Sequence, residues 1–252
     1  MIIKNVEVSQ IFELENSIYI IKALAPEISR EASAGQFCNI KVTTSTFPLL
    51  RRPFSICEVD GDYISFMFNV LGEGTKMLAH KKIGETLDVL GPLGNGFTTE
   101  GDYDTAVIVA GGLGSAPFPF LTKSFPAGKD IFSFVGGRSA KDVITYGMKN
   151  VLISTDDGSL GFKGNVIQLL EKNKEILSSS RIKMFACGPT PMLRALKEFC
   201  IANNYDCEVS TESAMACGFG ICQGCPIQAV DKEGYYLVCK DGPVFNINKV
   251  VL

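Results

Sequence analysis

Four cysteines near the end of this 252-residue sequence have a spacing that suits a metal centre. Cys217, Cys222 and Cys225 form the pattern C-x4-C-x2-C, and Cys239 follows after thirteen further residues. Four thiolates at this spacing are the ligand pattern of a plant-type [2Fe–2S] cluster. The sequence therefore predicts a centre that carries one electron at a time.

A structural zinc ion is the main alternative, because zinc also accepts four cysteine ligands. Zinc sites usually join two close pairs of cysteines, whereas here three ligands share one loop and Cys239 stands alone. Gly218, Gly220 and Gly224 lie between the ligands and allow the backbone to approach a bulky inorganic core. The pattern favours the iron–sulfur cluster and leaves zinc open.

Composition restricts the class of protein. The chain carries a formal charge of −3, with 46% hydrophobic and 20% charged residues, which suits two or three ordinary globular domains. No apolar run approaches the roughly 18 residues that span a bilayer, and the start lacks the features of a signal peptide. We therefore expect a cytoplasmic protein with reduced thiols, without a membrane partner. The absence of a basic block argues against nucleic acid.

The first hundred residues have the pattern of an all-β domain. Short alternating or β-rich runs are separated by turn residues and predict a small antiparallel barrel; they lie at 2–8, 17–24, 36–43, 54–59, 63–70 and 85–90. Two stretches in this region, RRPFSI (51–56) and FNVLGEGTKML (68–78), offer an arginine and a glycine turn that could hold phosphates. Each signal is weak alone, and a strand edge with a turn is the simpler interpretation.

The middle of the chain alternates apolar strands with helical segments, which predicts βαβ units around a parallel sheet. Gly111, Gly112 and Gly114 lie between the first strand and its helix, where backbone N–H groups can receive a pyrophosphate. The turn departs from G-x-G-x-x-G, since Ala116 and Pro117 stand where that motif would continue. A standard Rossmann assignment would therefore be wrong in detail.

Three further residues of this region could act on a nucleotide. Arg138 and Lys141 follow the second strand and could contact a 2′-phosphate or lie at a solvated helix start, so the choice of NADH or NADPH stays open. Cys187, in FACGPTPM, ends a predicted parallel strand, where ligands of open α/β sheets collect. A buried thiol that closes the strand is the alternative for Cys187.

The order of these segments resembles the ferredoxin-reductase-like flavoproteins over nearly all of the chain. The terminal pattern E-x-x-M-A-C-G-x-G-x-C-x-G-C is similar to that of the electron-transfer subunits of class 1B dihydroorotate dehydrogenases. The resemblance implies an α+β multidomain fold. It would comprise an FAD-binding antiparallel β-barrel over 1–98, an α/β parallel-sheet NAD-binding domain over 99–208 and a small [2Fe–2S] domain over 209–252.

The resemblance also implies roles for individual residues. Cys187 would lie beside the contact between nicotinamide and flavin and position them, and the glycine turn would bind NAD(H), which is a substrate. The four cysteines would hold the cluster. The residues expected to contact FAD are Arg52, Pro53, Phe54, Ser55, Phe68, Asn69, Val70, Gly74 and Thr75.

The implied function is a relay in pyrimidine biosynthesis. An FMN-containing catalytic subunit would oxidise dihydroorotate to orotate, and this chain would pass the electrons through [2Fe–2S] and FAD to NAD+, in a heterotetramer of two copies of each subunit. A flavin suits the junction, because a nicotinamide exchanges two electrons and a cluster one. The alternatives are the small subunit of another NAD(P)H-dependent ferredoxin or sulfide oxidoreductase complex and, from another class, a zinc-stapled binding module.

Overall fold

The computed structural model describes residues 2–178 and 181–252. Six antiparallel strands of the described N-terminal region close into a barrel in the order β1-β2-β5-β4-β3-β6. This confirms the predicted barrel. Its strands are β1 (Ile2–Glu13), β2 (Ile18–Leu24), β3 (Phe37–Lys41), β4 (Arg52–Asp60), β5 (Tyr63–Asn69) and β6 (Thr86–Leu93), with the short helices α1 (Pro26–Glu31) and α2 (Glu73–Ala79) between them.

The interior of the barrel is filled by apolar side chains that alternate along the strands. Ile21, Ile40, Ile56 and Phe66 are fully buried, each from a different strand. Burial of one such side chain stabilises the fold by about 1.5–3 kcal/mol. The apolar interior therefore holds the six strands together as a closed barrel. The packed interior makes the barrel a rigid support for the residues on its outer face.

A second sheet follows, with strand order β10-β9-β8-β7-β11-β12-β15. Strands β7 to β12 run parallel in every pair, as the alternating pattern predicts. All seven residues of β7 are buried, since a central parallel strand is covered on both faces. The elements are β7 (Thr105–Gly111), α3 (Phe118–Ser124), β8 (Asp130–Gly137), β9 (Val151–Thr155), β10 (Phe162–Lys163), α4 (Val166–Lys172), α5 (Lys174–Ser178), β11 (Ile182–Cys187), α6 (Thr190–Asn203) and β12 (Asp206–Ser210), with 3₁₀ turns at Gly112–Ser115 and Ala140–Asp142.

Helix α6 packs through the stripe that its sequence predicts. Leu193, Leu196, Phe199 and Cys200 are buried, and Met192 packs partly against the same apolar cluster. Among the described residues no helix is long and apolar enough to cross a membrane.

The C-terminal segment is short but is tied into the sheet. It contains β13 (Pro226–Gln228), β14 (Tyr235–Leu237), α7 (Val238–Asp241) and β15 (Val244–Asn246). β13 and β14 form a small antiparallel pair, while β15 adds an antiparallel edge strand to the main sheet beside β12. The cysteine-bearing residues 217–225, which we call the cluster loop, therefore lie between two segments anchored in that sheet.

Candidate functional site

The structure arranges the four predicted ligand cysteines in two pairs. The N–H of Cys222 donates to Sγ of Cys217 at 3.5 Å, and the N–H of Cys239 donates to Sγ of Cys225 at 3.4 Å. Among the described residues no group of three or more His, Cys, Asp or Glu side chains is arranged around one ion. Two pairs suit the two irons of a [2Fe–2S] cluster, each of which takes two protein thiolates.

Backbone N–H groups of the cluster loop point at the sulfur of Cys217. The N–H groups of Phe219 and Cys222 both donate to this Sγ at 3.5 Å. Burial opposes ionisation of Cys217, but these backbone donors outweigh it and lower its pKa to about 6. At Cys239 burial dominates and raises the pKa of the thiol to about 12. Cysteines that bind a metal must lose their protons. The four cysteines therefore fit a cluster whose positive charge stabilises the thiolates of the buried Cys225 and Cys239.

Glycines let the cluster loop lie close to its surroundings. Gly218 and Gly220 have φ of +84° and +88°, a region that side chains disfavour. A Cβ at Gly218 would stand 2.1 Å from Nδ2 of Asn39, and one at Gly220 would stand 2.8 Å from Cδ of Lys240. The glycines predicted to aid cluster binding therefore also fit the loop against the barrel and α7.

A cavity of about 280 Å³ opens between the barrel and the parallel sheet. Most of the residues expected to contact FAD converge on its wall, although they come from β4, β5 and α2. Cys187, at the end of β11, lines the same cavity from the sheet side. The predicted flavin residues on this wall are Pro53, Phe54, Ser55, Phe68, Asn69 and Thr75.

Three of the residues expected to contact FAD lie beside this cavity and do not line it. Arg52 lies against Gly74, where a Cβ would come within 3.0 Å of the arginine Nε, and it donates to the carbonyl of Leu50. The N–H of Val70 bonds to the carbonyl of Ser17 at 3.3 Å. Arg52 and Gly74 thus form a basic corner that suits a phosphate at the mouth of the cavity.

We expect Arg52→Ala to weaken FAD retention by about 1.5–3 kcal/mol, which is the usual contribution of a hydrogen bond to a charged group. Arg52→Lys should recover part of this loss, because lysine keeps the charge but lacks the planar fork. Equilibrium flavin titration of the apoprotein measures both values. Arg30→Ala, which removes an exposed arginine of α1, serves as the control and should leave the affinity unchanged. Unchanged affinity in Arg52→Ala would place the phosphate site elsewhere.

Two further cavities lie at the carboxyl ends of the parallel strands. One, of about 640 Å³, is lined by the glycine turn at the end of β7, by Gly136 and Gly137 at the end of β8 and by Arg138, which follows β8. The other, of about 440 Å³, continues from that turn to Gly188, Asn69 and the start of the C-terminal segment. A dinucleotide binds at such strand ends in open α/β sheets.

The predicted nucleotide residues occupy this edge. Gly111, Gly112 and Gly114 all line the cavities, and a Cβ at Gly114 would stand 2.5 Å from the carbonyl oxygen of Cys187. Sequence reasoning missed Gly136, Gly137, Gly188 and Pro189, although the Gly-Gly that ends β8 and the Gly-Pro that follows β11 could have found them by the same strand-end rule. Arg138 is exposed and pairs at 3.8 Å with Asp142.

Cys187 lines the flavin cavity, and the next residue, Gly188, lines the 440 Å³ cavity. Burial raises the pKa of its thiol to about 12, so it stays protonated near neutral pH. This property suits a neutral wall and not a nucleophile. Glu212, which sequence reasoning missed, borders both the flavin cavity and the 440 Å³ cavity, and burial raises the pKa of its carboxyl. Its position as the first residue of E-x-x-M-A-C was the available signal.

A barrel and a parallel sheet share one cavity, and the cluster loop with Cys239 lies beside them. Together they define a reductase of the ferredoxin-reductase-like class with an added iron–sulfur segment. Solved structures agree. A chain of an NADH-dependent reduced ferredoxin-NADP oxidoreductase superposes with a TM-score of 0.86 at 26% identity, covering 98% of this chain and 89% of that one. A ferredoxin NADP+ reductase from Neisseria gonorrhoeae shares the fold, with a TM-score of 0.62 at 15% identity, covering 79% of this chain and 91% of that one.

Sequence comparison identifies the family. Residues 212–251 match the family model for the iron–sulfur cluster binding domain of dihydroorotate dehydrogenase B. The electron transfer subunit of dihydroorotate dehydrogenase B (NAD(+)) from Bacillus pumilus is 37% identical over 250 residues, 95% of each chain. This chain belongs to the family of dihydroorotate dehydrogenase B electron transfer subunits. The iron–sulfur prediction is thereby confirmed over the zinc alternative.

Proposed function

We propose that this chain takes electrons from an FMN-containing dihydroorotate dehydrogenase catalytic subunit and passes them through a [2Fe–2S] cluster and FAD to NAD+, within pyrimidine biosynthesis. One observation carries the proposal. The flavin cavity is bordered on one side by Cys187 and the strand ends, and on the other by Ser213 and Met215, which lead directly into the cluster loop. Bound FAD supplies the conversion between two-electron and one-electron transfer.

Within this proposal the chain's own residues bind and orient. The basic corner of Arg52 and Gly74 would hold a phosphate of FAD. The residues of β4 and β5 that line the flavin cavity would contact the flavin. The backbone turn at 111–114 receives the nucleotide pyrophosphate, and buried Cys187 closes the sheet side of the flavin cavity. The four cysteines hold the cluster. These roles divide the chain functionally at 1–98, 99–208 and 209–252.

Membership in a family of electron transfer subunits implies a catalytic partner. We further propose two copies of each subunit in the complex and a cytoplasmic location, where the cysteines stay reduced. The cluster loop is the expected contact, because a one-electron relay must come close to its acceptor. Phe219 and Ile221 stand between the ligands with 40% and 75% of their surface exposed, so they can be buried on assembly.

The purified chain alone should oxidise NADH with a dye acceptor and leave dihydroorotate unchanged, because no FMN module or substrate acid–base group is evident in its sequence. Adding the catalytic subunit should give NAD+-dependent orotate formation, followed as NADH absorbance. Orotate formation by this chain alone would contradict the division of labour. Failure with the catalytic subunit, together with activity towards a ferredoxin or sulfide, would move the chain to a different oxidoreductase complex.

A further inference from the structure

The side chain of Asn39 joins the barrel to the cluster loop. Asn39 lies on β3 and is fully buried. Its Nδ2 donates to the backbone carbonyl of Cys217 at 3.3 Å, while its Oδ1 is buried and has no hydrogen-bond partner within residues 2–178 and 181–252. An unsatisfied buried acceptor costs about 1–3 kcal/mol, so an apolar side chain would pack at this place with less penalty. The amide therefore has a use other than packing.

Gly218 makes this contact possible. A Cβ at Gly218 would stand 2.1 Å from Nδ2 of Asn39 and 3.3 Å from Cδ1 of Leu93. Only a residue without a side chain leaves room for the amide there. The carboxamide consequently packs directly on the backbone that follows Cys217, the first ligand.

The barrel holds Asn39 rigidly. Its backbone lies in register with Pro53 of β4 and Leu90 of β6. Its carbonyl accepts a bond from Nη1 of Arg51 at 3.4 Å, and Arg51 is itself fixed by both carboxylate oxygens of Asp88 at 2.8 Å each. The anchor for the cluster loop therefore stands on an element that cannot move independently of the barrel.

The same strand forms part of the flavin wall. Phe37 lines the flavin cavity and precedes Asn39 by two residues, so both residues face one side of β3 at a separation of about 6.7 Å. Phe37 also belongs to the apolar cluster that contains Leu93, Cys225 and Cys239. One five-residue strand thus contacts both the flavin cavity and the cluster region.

We propose that Asn39 is a positioning residue for electron transfer, whose carboxamide fixes Cys217 at a set separation from the flavin cavity. This inference rests on the proposed function. The rate of electron transfer between two bound groups falls exponentially with their separation, so an anchor that sets this separation also sets the rate.

Two substitutions test the role. Asn39→Leu keeps the volume and removes the amide, and Asn39→Ser keeps a small polar group that cannot reach Cys217. In stopped-flow experiments with NADH, flavin reduction should stay within about twofold of wild type, while the cluster reduction that follows should slow several-fold. The low-temperature EPR spectrum of the reduced cluster should also change. Asn203→Leu is the control. It removes the hydrogen bond of 2.8 Å from the side-chain amide of Asn203 to the carbonyl of Phe199, and it should alter neither readout.

A double-mutant cycle tests the contact itself. Gly218→Ala should displace the amide in the wild-type background, but in Asn39→Ser the new methyl group no longer meets a carboxamide. The two effects on the cluster-reduction rate should therefore be non-additive. Strict additivity would overturn the proposal.

The other possible results for the two Asn39 variants also support or overturn the proposed role. Wild-type rates and EPR spectra in both Asn39 variants would overturn the inference, and so would loss of FAD and iron together in both, which indicates a folding role. A variant that binds FAD but takes up little iron would support it, since the loop is then misplaced more severely. No catalytic subunit or dihydroorotate is used, so failure here is distinguishable from failure of the proposed function.

Discussion

Replacing Cys217, Cys222, Cys225 or Cys239 with alanine should abolish the cluster and every reaction that depends on it. Each substitution leaves one iron with a single protein thiolate, and a cluster of this type requires four. Iron and sulfide should fall from about two of each per chain to near zero. NADH-dependent dye reduction should survive, because the flavin and nucleotide cavities are formed largely by the barrel and the parallel sheet.

Cys222→Ala is the cleanest of these variants. Cys222 is exposed, so its loss leaves no gap in the apolar core, whereas Cys225 and Cys239 are buried. Cys200→Ala is the matched control. It removes a buried thiol that contacts the sulfur of Met184 at 3.7 Å, and it should keep the full iron content. Retention of about two irons per chain in any ligand variant would remove that cysteine from the assignment.

Ile221→Asp should weaken assembly with the catalytic subunit by about 100-fold in Kd. A carboxylate buried at the contact without a partner costs about 3 kcal/mol or more, and 1.4 kcal/mol corresponds to a factor of ten. Phe219→Asp should act in the same direction. Both variants should keep NADH-dependent dye reduction, because neither residue lines the flavin or nucleotide cavities.

Size-exclusion chromatography with the catalytic subunit, followed by titration calorimetry, measures the loss. The control is Ile201→Asp, on α6, where an isoleucine with 61% of its surface exposed is changed in the same way away from the cluster loop. Normal assembly and normal orotate-linked NADH formation in both cluster-loop variants would mean that the partner docks on another face.

The sequence by itself determined the elements and the chemistry of the ligands. The six β-rich runs became the six strands of the barrel, and the stripe of α6 became core, because periodicity is a local property that survives folding. β1 runs to Glu13, beyond the predicted end at residue 8, since its second half pairs with β2. The spacing of Cys217, Cys222 and Cys225 identified an iron–sulfur loop, because the ligands of one loop must be close in the chain.

Only the tertiary structure decided which distant residues meet. Thr75, Cys187 and Glu212 border one cavity, and Asn39 contacts Cys217 across 178 positions of the chain. The edge strand β15 beside β12 is a pairing of the same kind. No local pattern encodes such contacts, because they arise from the way the barrel, the sheet and the cluster loop pack together. The ligand cysteines can be identified in the sequence, whereas the elements that set their distance from the flavin cavity are defined by packing.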